Sequence, residues 1–223
     1  MKLLNQKQTM TPARKYKNKY RIEANRWQFW DYSVPGSYFI TICVCHRECI
    51  LGRVQNGVME LSDYGDIVKN EFLKIPLYHK RVLLDAWVVM PNHVHCIITL
   101  GDYDFDNGGT VAEKIHEFSL PIPPTPPLRQ RHQQIEPTID EIKQYRKQRR
   151  NMIIPKLMGK FQMQTSKQIN LKRKTPGRRN WQPDYHDHVI RDQLSYHRIK
   201  KYIINNPKNW KDDNFNIGID PVI

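Results

Sequence analysis

The segment from Ala86 to Leu100, AWVVMPNHVHCIITL, carries two histidines two residues apart within an apolar run. Such a run predicts a strand, and because successive strand side chains point to opposite faces, His93 and His95 share one face. The other face, formed by Val94, Cys96, Ile98 and Leu100, can pack into a core. Two imidazoles side by side supply two ligands of a divalent metal site, with a third from elsewhere. A pair of half-buried histidines without a metal is the alternative that this pattern leaves open.

The chain is strongly basic, with a formal net charge of +14 over 223 residues. This charge favours a polyanion as the partner, because each neutralised phosphate releases condensed counterions. A membrane surface is the alternative, but no apolar run reaches the roughly 18 residues of a transmembrane helix. The N-terminus also lacks the apolar core of a signal peptide. We therefore expect no membrane partner and a cytoplasmic, nucleoid-associated protein.

The order of patterns predicts one α+β domain with extensions. We expect a basic N-terminal arm over residues 1–30, a single domain over 31–212 and a tail over 213–223. Residues of about 102–153 are interpreted as an insertion, with a proline-rich loop (Pro121–Pro127) followed by a basic helical segment. The β-branched and aromatic run Tyr38–Cys45 predicts a first strand. Asn56-Gly57 predicts the turn of a hairpin.

Helical spacing and end signals predict four helices. The first is capped by Ser62 and ends before Pro76, and two further helices cover about residues 138–150 and 154–169. The last runs from about Gln193 to Ile204 and stops at Asn206-Pro207, since proline ends helical continuation. Tyr202 and Asn206 are four residues apart and therefore share a face of this helix.

Residues 128–181 hold fifteen Lys or Arg against three acids. A solvated charged surface is the ordinary interpretation, but the concentration of charge beside the metal candidate favours a nucleic-acid groove. The residues predicted to contact DNA here are Lys172, Arg173, Lys174, Arg178 and Arg179. Three aromatic residues of this stretch, Tyr145, Phe161 and Trp181, can stack on unpaired bases or belong to the core.

These features suggest one chemistry. A tyrosine phenol is unreactive at its ordinary pKa of about 10, but it can attack a phosphate when a divalent cation offsets the developing charge. His93 and His95 would be two ligands, and Asn206 a third that ties the helix of Tyr202 to the cation. Imidazole and amide-oxygen ligation with open positions suits Mg²⁺ or Mn²⁺, although imidazole also admits Zn²⁺ and Ni²⁺.

Four motifs occur in a characteristic order: MPNHVH at 90–95, WQ at 181–182, DHVIR at 187–191 and YIINNP at 202–207. Together they resemble the single-tyrosine HUH transposases, and within them the REP-associated tyrosine transposases. The resemblance runs from about Asp31 to Trp210, apart from the insertion and basic segment between Gly101 and Ile154. His-x-His alone is weak support, whereas four motifs in this order and approximate spacing are specific.

The resemblance implies a ferredoxin-like antiparallel sheet that carries the histidine pair, with helices on one side. It implies cleavage of single-stranded DNA, at hairpin or repeat ends, through a covalent 5′-phosphotyrosine that leaves a free 3′-hydroxyl. By position, Tyr202 matches the nucleophile, and His93, His95 and Asn206 match the metal ligands. His188 and Arg191 match a motif to which we assign DNA binding. Both monomers and homodimers occur in the family.

Several alternatives stay open at this stage. A domesticated protein of the same fold could bind or nick repeated hairpin DNA without moving an element, and a non-catalytic basic nucleic-acid binder would explain the charge alone. A zinc hydrolase would need another histidine or carboxylate ligand in a recognisable pattern, and the sequence presents none. Tyr185 and Tyr196 compete with Tyr202 for the nucleophile's role, but only Tyr202 has Asn206 one helical turn later.

Overall fold

The computed structural model describes residues 30–102, 104 and 138–216. The arm predicted for residues 1–30 (except Trp30), the loop Pro121–Pro127 and residues 217–223 lie outside them. The strands are β1 (Gly36–Cys43), β2 (Gly52–Gln55), β3 (Val58–Leu61), β4 (Val82–Met90), β5 (His93–Leu100) and β6 (His186–Ile190). The helices are α1 (Asp63–Leu73), α2 (Ile75–Tyr78), α3 (Ile139–Arg149), α4 (Ile153–Arg173) and α5 (Gln193–Asn205).

The main sheet has the strand order β4-β5-β1-β6, with every neighbouring pair antiparallel. Helix α1 lies between β1 and β4 in sequence, and α4 lies between β5 and β6. This β-α-β-β-α-β order with β5 and β1 at the centre is the ferredoxin-like arrangement. Strands β2 and β3 form a separate hairpin. The predicted α+β class and antiparallel sheet are confirmed.

The main core lies between one face of the sheet and helices α1 and α4. It takes in Val94, Cys96, Ile98 and Leu100, the β5 residues that the alternation pattern assigned to this face, and each is 0% exposed. Phe161 and Trp181 are also buried in this core, so they pack rather than stack on bases. Full burial of such side chains contributes about 1.5–3 kcal/mol each, which makes this layer the main source of stability.

Helix α5 packs on the opposite face of the sheet, the face that carries the histidines. Its buried residues Tyr196 and Ile203 contact Ala86, Ile97 and Ile190 in a second, smaller core. The expectation that helices lie on one side therefore holds for α1 and α4 but is wrong for α5. The reason is that Ile97 and Ile190 make this face apolar beside the histidines, so it also requires a cover.

The stretch Ala86–Leu100 is two strands rather than the single strand predicted. β4 ends at Met90 and β5 begins at His93, with Pro91 and Asn92 forming the turn between them. Proline has no N–H to donate to a ladder, and here its carbonyl accepts a hydrogen bond from the Leu51 amide at 3.0 Å. The assignment of His93 and His95 to one face is unaffected, because both lie within β5.

One predicted helix end is confirmed, another is corrected, and one strand was not predicted. Ser62 caps α1 by accepting from the Gly65 amide at 3.2 Å. Helix α4 continues to Arg173 rather than ending near Ile169, and Lys174 closes it with a left-handed φ of 55°. Strand β6 was not predicted, because its five residues mix charged and apolar types. None of the described helices is both long enough and apolar enough to cross a bilayer.

Candidate active site

The two histidines lie at the centre of the sheet, because β5 is paired on both sides. His93 is opposite Met90 of β4 and Cys43 of β1, and His95 is opposite Val88 and Thr41. Both imidazoles are buried, at 0% and 1% exposure. Their ring centroids are 4.4 Å apart. A central strand with partners on both edges holds the two rings in a fixed relation.

Hydrogen bonds determine which nitrogen of His93 is free. The side-chain amide N–H groups of Asn92 donate to the carbonyls of Arg47 and Phe215, at 3.2 Å and 2.8 Å. The Asn92 Oδ1 atom must therefore accept, and it accepts from Nδ1–H of His93 at 2.8 Å. This leaves Nε2 of His93 with a lone pair, buried and without a hydrogen-bond partner among the described residues.

His95 is held at both nitrogens. Its Nδ1 atom is 2.8 Å from Oγ1 of Thr41, its cross-strand neighbour. Its Nε2 atom is 3.2 Å from the hydroxyl of Tyr202. A hydrogen bond to one ring nitrogen sets the orientation of the imidazole and the basicity of the other, as partners of metal-binding histidines do.

Burial keeps both imidazoles uncharged at neutral pH. Desolvation lowers the pKa of His93 well below its ordinary value, and the neighbouring His95 and Arg47 lower it further. Desolvation also lowers the pKa of His95 to about 3. A neutral imidazole with an available lone pair is the form that binds a metal ion.

The third member of the cluster is Asp213, which the sequence did not predict. One potential ligand atom from each of His93, His95 and Asp213 lies within 4.8 Å of the other two. Asp213 follows α5 in a segment without apolar periodicity, so no pattern in the sequence distinguishes it. The chain must turn back over the sheet before this carboxylate reaches the histidines.

Asn206, the predicted third ligand, lies beside this cluster as the C-cap of α5. Its Nδ2 atom donates to Oδ2 of Asp213 at 3.0 Å. Its Oδ1 atom is buried and has no hydrogen-bond partner among the described residues. Asn206 therefore orients Asp213 and also offers an oxygen of its own.

The segment after α5 covers the histidines. The Phe215 ring lies 4.4 Å from that of His93, and Trp210 lies on the same histidine at 6.0 Å. The Arg47 guanidinium is 4.8 Å from the Phe215 ring and donates to the Asn214 carbonyl at 3.0 Å. This cover explains the complete burial of His93.

Tyr202 approaches the cluster from α5 and remains 42% exposed. Its ring packs edge-on against Phe39, with centroids 6.2 Å apart. Burial raises its pKa and the charge of Asp213 raises it further, while a hydrogen bond with Asn206 lowers it in part. The phenol is therefore protonated at neutral pH, accessible to solvent and next to the histidines.

The two competing tyrosines occupy different positions. The Tyr196 hydroxyl donates to the Asp85 carboxylate of β4, which also pairs with Lys200 at 2.9 Å. Tyr185 is buried in the main core. Of the three, Tyr202 is the one whose hydroxyl contacts a histidine of the cluster.

The chemistry of these donors fits a divalent cation. Two neutral imidazoles and a carboxylate converge, and Asn206 contacts that carboxylate. Nε2 of His93 and Oδ1 of Asn206 are buried and lack hydrogen-bond partners among the described residues. An unpaired buried polar atom costs about 1–3 kcal/mol, so binding a cation there would relieve a penalty already present in the fold. The same donor types suit Mg²⁺ and Mn²⁺ and also admit Zn²⁺.

Replacing Asp213 with asparagine is expected to lower the pKa of Tyr202, because the carboxylate charge raises that pKa in the native protein. The change removes a candidate ligand at the same time. We expect the affinity for Mn²⁺ to fall by more than the ~10- to 100-fold that outer-shell changes cost.

Tyrosinate absorbance as a function of pH, measured without metal, checks the first effect, and the Tyr202→Phe protein identifies the signal of this phenol. Calorimetric titration with Mn²⁺ checks the second. If neither the pKa of the phenol nor the Mn²⁺ affinity changes, Asp213 is not part of the site.

The basic residues predicted to bind DNA make local contacts in the structure. Lys172 pairs with Asp63 at 2.6 Å, and Arg178 pairs with Glu48 at 3.0 Å. The guanidinium of Arg173 lies over the ring of Tyr64 at 4.9 Å. Lys174 and Arg179 are exposed.

These residues lie near the end of the sheet that carries His93. The amide of Cys45, just beyond β1, donates to the Asn180 carbonyl at 2.8 Å, and the Val44 amide donates to Asn92. Helix α3 lies near the opposite end of the sheet. Its Tyr145 hydroxyl donates at 2.8 Å to the carbonyl of Trp30, a residue that precedes β1. Eight residues of β1 at about 3.3 Å each separate the two ends. The expectation that the whole basic stretch lies beside the metal candidate is therefore wrong for α3.

The remaining predicted DNA contacts are His188 and Arg191. Both are exposed, His188 on the edge strand β6 and Arg191 directly after it. His188 is opposite Phe39 in the β1–β6 pairing. Phe39 is in turn opposite Ile97 in the β1–β5 pairing. His188 therefore projects from the same face as the histidine pair.

The chain is similar to known proteins only at low sequence identity. No protein-family model matches the chain. An uncharacterized protein of Haemophilus influenzae (strain Rd) is 29% identical over 194 residues, which cover 84% of this chain and 89% of that protein. A REP-associated tyrosine transposase bound to a REP hairpin has a TM-score of 0.43 and 18% identity, covering 83% of this chain and 73% of that one.

A candidate transposase of Deinococcus radiodurans has a TM-score of 0.32 and 15% identity, covering 81% of this chain and 95% of that one. Similarities at these levels do not establish a family or an activity.

Proposed function

We propose that this chain is a transposase of the REP-associated tyrosine kind, which cleaves single-stranded DNA and transfers the strand through a covalent 5′-phosphotyrosine. Tyr202 is the nucleophile in this proposal. His93, His95 and Asp213, with Asn206 beside them, would hold a divalent cation, Mg²⁺ or Mn²⁺. The substrate would be a single strand at hairpin or repeat ends.

The observation that carries the proposal is the position of the Tyr202 hydroxyl, 3.2 Å from Nε2 of His95. It lies next to two buried, neutral imidazoles and the Asp213 carboxylate, and Nε2 of His93 has no hydrogen-bond partner among the described residues. Such a set of donors suits a cation. A phenol in this position is 42% exposed, so a phosphate can reach it from solvent. The order of the motifs around His93, His188 and Tyr202 supports the same assignment.

The chemistry balances without an external energy source. The phenol loses its proton as its oxygen bonds to phosphorus, the bond to the 3′ oxygen breaks, and that oxygen takes up a proton to become a free 3′-hydroxyl. Attack by a 3′-hydroxyl on the phosphotyrosine reverses these steps and joins a strand. A bound cation would neutralise charge on the phosphate and favour the phenolate.

The raised pKa of Tyr202 explains why such a cation matters. Burial and the Asp213 charge both disfavour the phenolate. A cation held by the histidines and Asp213 would offset that charge at the position where the phenolate forms. The residues of this chain then act by orientation: Thr41 and Asn92 hold the imidazoles, and α5 holds the phenol.

The direct test is incubation with labelled single-stranded DNA and Mn²⁺ or Mg²⁺, followed by denaturing electrophoresis. A DNA label that migrates with the protein and is lost on protease treatment is the expected result. If no adduct forms with any hairpin or linear strand under conditions where the protein binds DNA, the chain is better described as a non-catalytic basic binder.

Neutralising Lys172, Arg173 and Lys174 together is expected to weaken binding of single-stranded DNA and to flatten its salt dependence. Each lost phosphate contact lowers the slope by about 0.7. Binding isotherms between low and moderate salt provide the measurement. The matched control neutralises Arg146, Lys147 and Arg149 in the last turn of α3, at the other end of the sheet. If both triple variants lose the same DNA affinity, no DNA-binding groove lies at Lys172, Arg173 and Lys174.

A zinc-dependent phosphodiesterase is the second candidate, because Asp213 supplies the carboxylate ligand that the sequence did not present. Two histidines and a carboxylate form a common catalytic zinc set. This reaction would release both DNA ends without an adduct and would tolerate loss of the Tyr202 hydroxyl. The adduct assay repeated with Zn²⁺ therefore separates the two. A domesticated nickase of the same fold would form the adduct but would not join strands.

A further inference from the structure

A strip of surface runs from the cluster toward the sheet edge, and it joins two predicted DNA contacts, His188 and Arg191, to two residues that the sequence did not single out. It is formed by Phe39 of β1, His188 of β6, the following Arg191, and Arg198 of α5. We call these four residues the β6–α5 surface. Phe39 is partly exposed and the other three are exposed.

Strand register places this surface next to the site. Thr41, which holds His95, is opposite His186, and Phe39 is opposite His188. Residues directly opposite in antiparallel strands project from the same face. The Phe39 ring lies 5.4 Å from that of His95 and 6.2 Å from that of Tyr202. Phe39 therefore connects the nucleophile to the β6 edge.

Helix α5 contributes the charge on the other side. Arg198 and Tyr202 are four residues apart, so they share a side of the helix. Tyr196 and Lys200 lie on a different side and contact Asp85 of β4. The helix is thus anchored through one side to β4, while its Arg198 side is exposed near His188.

The charged groups of this surface are two arginines, with two aspartates beside them. Partial desolvation by its neighbours lowers the pKa of His188, although the residue is exposed, and the charges of Arg191 and Arg198 lower it further, with Asp187 and Asp192 acting in the opposite direction. The Asp192 carboxylate is engaged by Ser195, accepting from its amide at 2.7 Å and its hydroxyl at 2.9 Å. The charge of Arg198 also lowers the pKa of Asp192. The guanidinium groups of Arg191 and Arg198 are both exposed, so a phosphate of the strand can reach them from solvent.

We propose that the β6–α5 surface binds the nucleotides of the single strand that adjoin the scissile phosphate, with Phe39 stacking on an unpaired base and Arg191 and Arg198 holding phosphates. This inference rests on the proposed function and extends it to a path for the substrate. An aromatic ring beside exposed arginines is the combination that binds single strands without reading sequence. A base in a duplex is stacked on its neighbours and does not offer its face to Phe39.

The test uses the full chain with Tyr202→Phe, so that binding is measured without cleavage, and a fluorescent single-stranded oligonucleotide of mixed sequence. Arg198→Gln is expected to lower affinity about ten-fold and to reduce the salt slope by about 0.7, the value for one phosphate contact. Phe39→Leu is expected to lower affinity about ten-fold with an unchanged salt slope, because stacking releases no counterions. Phe39→Tyr retains the ring and should bind as the parent does.

Arg150→Gln is the matched control, since Arg150 is an exposed arginine beyond α3. Equal effects of Arg198→Gln and Arg150→Gln, or no effect of Phe39→Leu, would overturn the proposal. An equal effect of Phe39→Leu on a fully paired duplex would also overturn it, because the stacked base must be unpaired. Unchanged Mn²⁺ affinity in each variant excludes a folding defect. The adduct assay with Tyr202 present tests the proposed function separately. If an adduct forms but the substitutions do not change binding, the proposed DNA path is wrong and the catalytic function stands. If the substitutions change binding but no adduct forms, the catalytic function is wrong and the DNA path stands.

Discussion

Replacing Tyr202 with phenylalanine is expected to remove the covalent protein–DNA adduct while leaving the fold and the binding of single-stranded DNA intact. Loss of the hydroxyl removes its hydrogen bond with Nε2 of His95 and its contact with Asn206, which together cost only about 1–3 kcal/mol of stability. Loss of the nucleophile removes the only covalent route, and we expect adduct formation to fall by on the order of 10⁴-fold. Denaturing electrophoresis of labelled DNA measures this directly.

Tyr196→Phe is the matched control for this experiment. It removes a hydroxyl from the same helix, but that hydroxyl contacts Asp85 on the far side of α5. The Asp85 carboxylate still pairs with Lys200 in this variant. We therefore expect a less stable protein that still forms the adduct. An adduct of full yield in Tyr202→Phe that disappears in Tyr196→Phe would reassign the nucleophile.

Substitution of His93 by alanine is expected to remove both Mn²⁺ binding and metal-dependent cleavage. The Nε2 atom of His93 is buried without a partner among the described residues, and it is the clearest candidate donor in the cluster. A metal contributes several kcal/mol to a phosphoryl reaction, which corresponds to at least about a hundred-fold in rate. Calorimetry with Mn²⁺ and the adduct assay report the two effects separately.

The alanine variant also leaves a space under the Phe215 ring, so stability must be followed by thermal unfolding. His93→Gln fills more of this space and should retain the fold while still binding Mn²⁺ poorly. His197, an exposed histidine on α5, provides the control substitution, which should change neither quantity. Full Mn²⁺-dependent cleavage by a folded His93→Gln protein would exclude the proposed cation site.

Local sequence was sufficient for the parts of the site that depend on strand and helix geometry. Two-residue spacing placed His93 and His95 on one face, and four-residue spacing placed Tyr202 and Asn206 on one side of α5. The Ser62 cap and the Asn56-Gly57 turn were predicted correctly, because short-range hydrogen bonds and positive φ angles determine such features.

The sequence failed where distant segments meet. The contact of Tyr202 with His95 joins residues 107 positions apart, and that of Asn92 with Phe215 joins residues 123 apart. No periodicity encodes such pairs, because they depend on the strand order and on the path of the chain after α5. Asp213 was missed for this reason.

The sequence by itself determined most of the strands and helices, though not β6, together with the shared face of the two histidines and the basic character of the chain. Only the tertiary structure decided that α5 lies on the histidine face, that Asp213 completes the cluster and that α3 lies away from it. The physical reason is that side-chain direction within an element follows from backbone geometry, which is local. The burial that lowers the pKa values of the histidines and raises that of Tyr202 arises only when separate elements pack together.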